Sequence, residues 1–252
     1  MSNPFSLEGR RAMVTGANTG IGQGIAISLA EAGAEVLAVG RSSMAETEDA
    51  IRGAGGKVSA IKADLGKTAA VAPMFDAAWD AHGPIDILVN NAGIIRRAAA
   101  IDFTETDWDD VLDVNLKSVF LLSQAFARQV FAAGRSGKIV NTASLMPFQG
   151  GIRILSYTAA KSGLAGLTRI LANEWASKGI NVNAIAPGYI VTNNTEALRN
   201  DPERTADILK RIPAGRWGSP QDIGGTAVYL ASDAANYVHG AILPVDGGWL
   251  AR

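Results

Sequence analysis

Short apolar or β-branched runs alternate with longer helical stretches along the whole chain, and no other feature restricts its fold so tightly. Strands are predicted near 11–15, 34–39, 57–62, 86–90, 137–143, 180–186 and 241–245. Helices are predicted at 20–32, 44–54, 67–81, 107–133, 156–178 and 220–232, with a shorter one within 194–211. Parallel strands need a crossover, usually a helix, so this order specifies an α/β fold. The expected form is a doubly wound parallel sheet of about seven strands with helices on both faces. With no linker, repeat or low-complexity tract, residues 1–252 read as a single domain with ample core.

The first strand-to-helix junction carries a glycine turn. Thr15-Gly16-Ala17-Asn18-Thr19-Gly20-Ile21-Gly22 follows the apolar run Ala12-Met13-Val14 and opens a stretch of small helical residues from Gln23 to Ala32. Glycines there allow a tight turn and a close backbone approach, and the free N–H groups of the following helix attract a pyrophosphate. The glycines at 16, 20 and 22 are spaced more widely than in the Gly-x-Gly-x-x-Gly form of a Rossmann-type turn.

A second pattern is Tyr157-Thr158-Ala159-Ala160-Lys161, a four-residue step that puts a phenol and an ammonium on one helix face. A free tyrosine titrates near pH ~10 and is a poor base at neutrality. A cation about 4 Å away, at an effective dielectric of about 20, is worth about 4 kcal/mol, or roughly 3 pKa units. Lys161 is therefore expected to bring Tyr157 down towards neutrality. Taken alone, such a pair also fits a solvated helix face.

Together with Asp64 after Val58 to Ile61, Asn90-Asn91-Ala92-Gly93 after Ile87-Leu88-Val89, and then Asn115, Ser144 and Pro187-Gly188, these motifs resemble the short-chain dehydrogenase/reductase family over nearly the whole chain. The resemblance implies an oxidoreductase in which Tyr157 is general acid and base, Ser144 binds the substrate oxygen, Lys161 tunes the phenol and binds ribose, and Asn115 relays protons through a water. It implies cofactor contacts at Gly16, Asn18, Thr19, Ile21 and Gly22 around the pyrophosphate, Asp64 and Leu65 near adenine, and Asn91 and Gly93 near the ribose. Tyr157 and Lys161 would also touch the nicotinamide end, which Pro187, Gly188, Ile190 and Thr192 would fix; Thr192 reads equally well as a helix N-cap.

Cofactor choice rests on the end of the second strand, Val39-Gly40-Arg41-Ser42. An acidic residue at Gly40 would bind the 2′-hydroxyl of NAD and repel the 2′-phosphate of NADP. None is present, and Arg41 with Ser42 can clasp a phosphate through charge-assisted hydrogen bonds, so NADP is expected over NAD. Against this, Asn18-Thr19 brings no basic residue into the glycine turn.

Arg96 and Arg97 follow the Asn-Asn-Ala-Gly turn, Gln149-Gly150-Gly151-Ile152-Arg153 follows Ser144, Asn193-Asn194 opens a predicted lid at 189–217, and Arg216-Trp217 closes it. Guanidinium pairs with carboxylate in a planar, two-bond geometry, so these stretches suggest a small hydroxylated anion. Arg96, Ser144, Gln149, Arg153, Tyr157 and Asn194 are the expected substrate contacts. The same stretches resemble a branch of the family that works on ring-opened deoxy sugar acids. Reduction of a neutral sugar or a 3-oxoacyl thioester is the alternative, and a non-catalytic nucleotide sensor a more distant one.

Composition adds exclusions. Cysteine is absent, and His82 and His239 lie far apart in sequence, so no metal centre is expected. A net charge of −1 with scattered basic residues argues against a nucleic-acid partner. No signal-like N-terminus or bilayer-length apolar run is found, so a cytoplasmic protein without a membrane partner is expected. The resemblance implies a homotetramer through the helices at 107–133 and 156–178 and the C-terminal strand region. Phe120, Phe126 and Phe131 read as core or interface, and Trp249 as packing against a neighbouring subunit or finishing the local core, with the interface slightly favoured.

Overall fold

The computed structural model describes residues 3–252. The elements are β1 (Arg11–Thr15), α1 (Gly20–Glu31), β2 (Glu35–Gly40), α2 (Ala45–Gly53), β3 (Val58–Lys62), α3 (Val71–His82), β4 (Ile87–Asn90), α4 (Glu105–Leu112), α5 (Ser118–Ala132), β5 (Gly137–Thr142), α6 (Leu155–Trp175), β6 (Ile180–Pro187), α7 (Glu196–Arg199), α8 (Pro202–Arg211), α9 (Pro220–Ala231) and β7 (Ile242–Val245). Among the described residues seven strands form one sheet in the order β3-β2-β1-β4-β5-β6-β7, every pairing parallel.

Alternation within each strand feeds two faces. Ala12 and Val14 of β1 join Val36, Ala38, Ile87 and Val89 in a core closed by α1 and α9, whereas Met13 joins Leu37, Val39 and Leu88 against α3 and α5. Phe126 is fully buried in the second core, edge-on to Phe75. Phe131 packs edge-on against Trp175, and Phe120 remains 41% exposed.

Helices α1 and α9 touch through glycines. A Cβ at Gly24 would lie 2.7 Å from the Pro220 side chain, and one at Gly224 would overlap the Ser28 hydroxyl. Small residues thus let the backbones of α1 and α9 approach closely.

Three predicted helices are interrupted. The 107–133 stretch divides at a π-turn, Asp113–Lys117, between α4 and α5. The predicted 156–178 helix ends at Trp175 in a 3₁₀ turn. The single short helix expected within 194–211 is two, because Asp201 caps α8 by accepting the Arg204 N–H at 3.1 Å and Pro202 occupies its first turn. Trp249, expected at an interface, is only 5% exposed within its own chain, in a small third core with Leu145, Ala186, Ile208 and Ile212.

Candidate active site

The strand order reverses at β1 and β4, and in open parallel sheets ligands bind outside the strand C-termini at such a point. A cavity of about 660 Å³ lies there, lined by residues that follow β1 through β6. Every position assigned above to the cofactor lines this one cavity, from Gly16 and Arg41 at one end to Lys161 and Thr192 at the other.

The glycine turn is pinned to the neighbouring loop. Gly16 adopts φ +64°, and a Cβ there would stand 2.9 Å from Ala92 Cα. The Thr15 hydroxyl accepts the N–H groups of Asn91 at 3.0 Å and Ala92 at 3.1 Å, and Asn91 Nδ2 donates to the Thr15 carbonyl at 3.0 Å. Helix α1 then starts without a capping side chain or an acid in its first turn, which leaves its leading amides available to an anion.

At the other end of β2, Asn18 Nδ2 donates to the Ser42 hydroxyl at 2.9 Å and holds it beside the exposed Arg41. The place where an acid at residue 40 would branch is filled by the Met44 methyl.

Ser144, Tyr157 and Lys161 line the opposite end of the cavity, brought together by the end of β5 and the first turns of α6. Lys161 is 4% exposed, and its Nζ donates to the Thr142 carbonyl at 2.6 Å while lying 5.8 Å from the centre of the Tyr157 ring. Burial lowers its pKa to about 8. Burial pushes the Tyr157 phenol above its ordinary value, while the nearby Ser144 hydroxyl and the Arg97 guanidinium pull it down. This corrects the expected direction: the ammonium is directed at a carbonyl, and desolvation dominates the phenol.

Asn115 sits behind the cavity, fully buried in the π-turn. Its Oδ1 accepts the Ile94 N–H at 2.8 Å and its Nδ2 donates to the Ile94 carbonyl at 2.9 Å, which ties α4–α5 to the loop after β4.

Of the expected substrate residues, Arg96, Ser144, Tyr157 and Asn194 line the cavity, and Gln149 and Arg153 do not. Arg96 is paired with Asp107 at 3.1 Å and Asp110 at 3.2 Å on α4. Gln149 Oε1 accepts the Trp249 indole N–H at 2.9 Å. Arg153 is exposed, with a left-handed φ of 61° and its carbonyl bound by the Ala98 N–H at 3.2 Å. Arg216 is held in two bonds by Asp222 at the start of α9.

Arg97 does not line the cavity either, but its charge lowers the Tyr157 pKa and its guanidinium donates to the Asn194 carbonyl at 2.9 Å. One signal was available in the sequence: Asp107-x-x-Asp110 puts two acids on one helix face, and they claim Arg96.

The segment expected as a lid is anchored at its base, where Ile190 bridges Gly218 and the Val191 N–H donates to the Gly218 carbonyl at 2.9 Å. Thr192 heads a 3₁₀ turn, and its N–H donates to the Thr195 hydroxyl at 3.1 Å.

The family model described as enoyl-(acyl carrier protein) reductase matches residues 16–250. The chain is 54% identical to the 2-dehydro-3-deoxy-D-gluconate 5-dehydrogenase of Escherichia coli strain K12, covering 98% of each chain. It is 64% identical, over 100% of both chains and at TM-score 0.95, to an Agrobacterium tumefaciens structure with bound NADP, provisionally described as a 2-deoxy-D-gluconate 3-dehydrogenase. A Burkholderia cenocepacia gluconate 5-dehydrogenase solved with NADP and tartrate superposes at TM-score 0.93, with 39% identity and 99% and 98% of the two chains covered.

Proposed function

The chain belongs to the short-chain dehydrogenase/reductase family, and from that premise we infer that it interconverts a keto and a hydroxyl group of a deoxy sugar acid of the 2-dehydro-3-deoxy-D-gluconate type, with NADP preferred over NAD. The observation that carries this reading is the single cavity that has a glycine turn, Arg41 and Ser42 at one end and Ser144, Tyr157 and Lys161 at the other. The relatives' substrates supply the sugar-acid class.

The residues fit the nicotinamide dinucleotide: uncapped amides open α1 beside a glycine that lets backbone approach, and Arg41 with Ser42 can receive a 2′-phosphate. The bound cofactor would supply the hydride in its reduced form, NADPH, and the hydride acceptor in its oxidised form. Tyr157 gives its proton to the oxygen that becomes the alcohol, and takes it back in oxidation. Burial keeps the phenol protonated at neutral pH, which suits the acid role in reduction. Ser144 holds the reacting oxygen next to that phenol. Lys161 contributes positive charge when protonated, favouring the phenolate. Asn115 keeps the loop bearing Ile94 in place, and the relay of protons through a water is assigned to it in the same reading.

The substrate carboxylate is assigned to Asn194, which lines the cavity, and to Arg97, which lies outside the lining and binds the Asn194 carbonyl, since Arg96 already satisfies two acids. Residues 189–217 act as the lid over it. No metal is assigned to the reaction. A homotetramer is supported by Phe120 and Ile170, exposed on α5 and α6 at 41% and 49%. No described helix is long and apolar enough to cross a membrane, and a cytoplasmic location is part of the same reading.

The test is loss of reduced-nicotinamide absorbance with the 5-keto deoxy uronate from pectin or alginate breakdown, NADPH and NADH run in parallel. Turnover faster with NADPH is expected. Cofactor binding without turnover would discard the sugar-acid assignment, and NADH as the better donor would discard the role of Arg41.

A further inference from the structure

The C-terminal turn reaches three segments that flank the substrate end of the site, and one side chain touches all three. Trp249 donates its indole N–H to Gln149 Oε1 at 2.9 Å, in the loop that follows Ser144. Its ring lies 4.6 Å, centre to centre, from Tyr189, just past the Pro187-Gly188 segment. The Arg211 guanidinium, at the end of α8, stacks 4.0 Å above the same ring. Tyr189 in turn stands edge-on to Trp217, where the chain returns from the lid.

The turn that presents Trp249 is rigidly built. Asp246 accepts the N–H groups of Gly248 and Leu250, each at 2.9 Å. Two further bonds run to the lid: the Ala214 N–H to the Gly247 carbonyl at 3.0 Å, and the Arg252 guanidinium to the Lys210 carbonyl at 3.1 Å. Leu145, directly after Ser144, and Ile208 of α8 share a small core with Trp249. None of these groups lines the cavity itself; they stand one layer behind Ser144 and Gly188, which do.

We propose that Trp249 is a positioning residue for substrate: it seats α8 and Tyr189 against the Ser144 loop and so sets the height of the lid over the sugar acid. This rests on the function inferred above. Loss of the ring removes the stack under Arg211 and the shorter of two bonds to Gln149 Oε1, leaving α8 tied to that loop by the Arg211 guanidinium at 3.4 Å, so substrate capture suffers while cofactor binding stays.

Trp249→Ala and Arg211→Met are compared with the full-length wild type for KM and kcat with the sugar acid, for the Kd of NADPH, and for amide hydrogen exchange along the chain with NADPH bound. The expected result for Trp249→Ala is a KM raised by about tenfold, a smaller change in kcat, and a Kd for NADPH within about twofold. Exchange within 202–211 speeds up while that of β6 does not. Arg211→Met moves the same quantities in the same direction by less. If Trp249→Ala does not fold, Trp249→Phe, which keeps a ring and loses the bond to Gln149, takes its place with the same expected directions, because Arg211 also bonds Gln149 itself at 3.4 Å. Unchanged KM and unchanged exchange in 202–211, or an NADPH Kd that weakens as much as KM rises, overturns the proposal. If the wild type does not turn over the sugar acid, the functional reading fails and the exchange measurement still decides the role of Trp249.

Discussion

Lys161 directs its ammonium to the Thr142 carbonyl at 2.6 Å, so the charge beside the phenol is anchored to the end of β5. The cost of burying it has a pH signature. Its folded pKa, about 8, lies below the ordinary 10.5, so the unfolded chain holds more protons between those values and stability rises with pH there. The penalty is complete below pH 8 and lifted by about 10.5. Comparing urea unfolding of the wild type with Lys161→Met, the difference should move in favour of the wild type by up to about 3 kcal/mol across that window. A pH-independent difference would show that the ammonium is not desolvated.

Tyr157→Phe keeps the buried ring and deletes only the proton carrier. Turnover should fall by about 10²–10⁴-fold, with the Kd of NADPH within about twofold. Because burial raises the wild-type phenol pKa, the base form is scarce at neutral pH. Oxidation of the hydroxy acid should therefore accelerate as pH rises, and reduction should not. An oxidation rate flat from pH 7 to the alkaline side would contradict this assignment.

Arg97 and Arg96 should separate cleanly. Arg97→Ala removes a guanidinium whose charge acts on the phenol and which has no carboxylate partner among the described contacts, and KM for the sugar acid should rise by about ten- to a hundredfold, the worth of a hydrogen bond to a charged group. Arg96→Ala breaks exposed pairs with Asp107 and Asp110, and should change KM little and stability by under about 1 kcal/mol. Equal effects from the two would sink the assignment of the carboxylate to Arg97.

The selectivity for NADP proposed above rests on Arg41 and Ser42. Arg41→Ala should raise KM for NADPH by about tenfold or more and leave KM for NADH nearly unchanged. Gly40→Asp should weaken NADPH through repulsion, provided the Met44 methyl moves aside. Parallel losses for both cofactors in Arg41→Ala would mean that the side chain stacks on adenine instead.

Much of the fold was legible because its signals are local: apolar runs of strand length, a glycine turn, and helical stretches between them. The π-turn around Asn115 was not, since one extra residue is accommodated to reach Ile94, a contact 21 residues away in sequence. The break at Asp201-Pro202 was written in the sequence as a cap followed by a first-turn proline, and was overlooked. In the site, residues flanking the glycine turn and the strand ends fall on one cavity because strand C-termini share one edge of a parallel sheet. Gln149 and Arg153 stray because a loop's side-chain directions are set by distant partners, here Trp249, and by a left-handed backbone at Arg153.

The contact that positions α1 can be tested through Gly224 and Ser28. In Gly224→Ala the new Cβ overlaps the Ser28 hydroxyl and lies 2.7 Å from Ser28 Cβ, so α9 must lift from α1 at a cost of about 1–3 kcal/mol. Ser28→Gly removes both atoms, and the nearest remaining neighbour is the Gly24 carbonyl at 3.4 Å, an ordinary contact. The helix cost of glycine at 28 roughly balances the gain of alanine at 224, each up to about 1 kcal/mol. The double variant should therefore recover most of the stability lost by Gly224→Ala. Since α1 presents its leading amides to the cavity, NADPH affinity should fall in Gly224→Ala and return in the double variant. Additive losses in urea unfolding would show that the two helices do not meet at this pair.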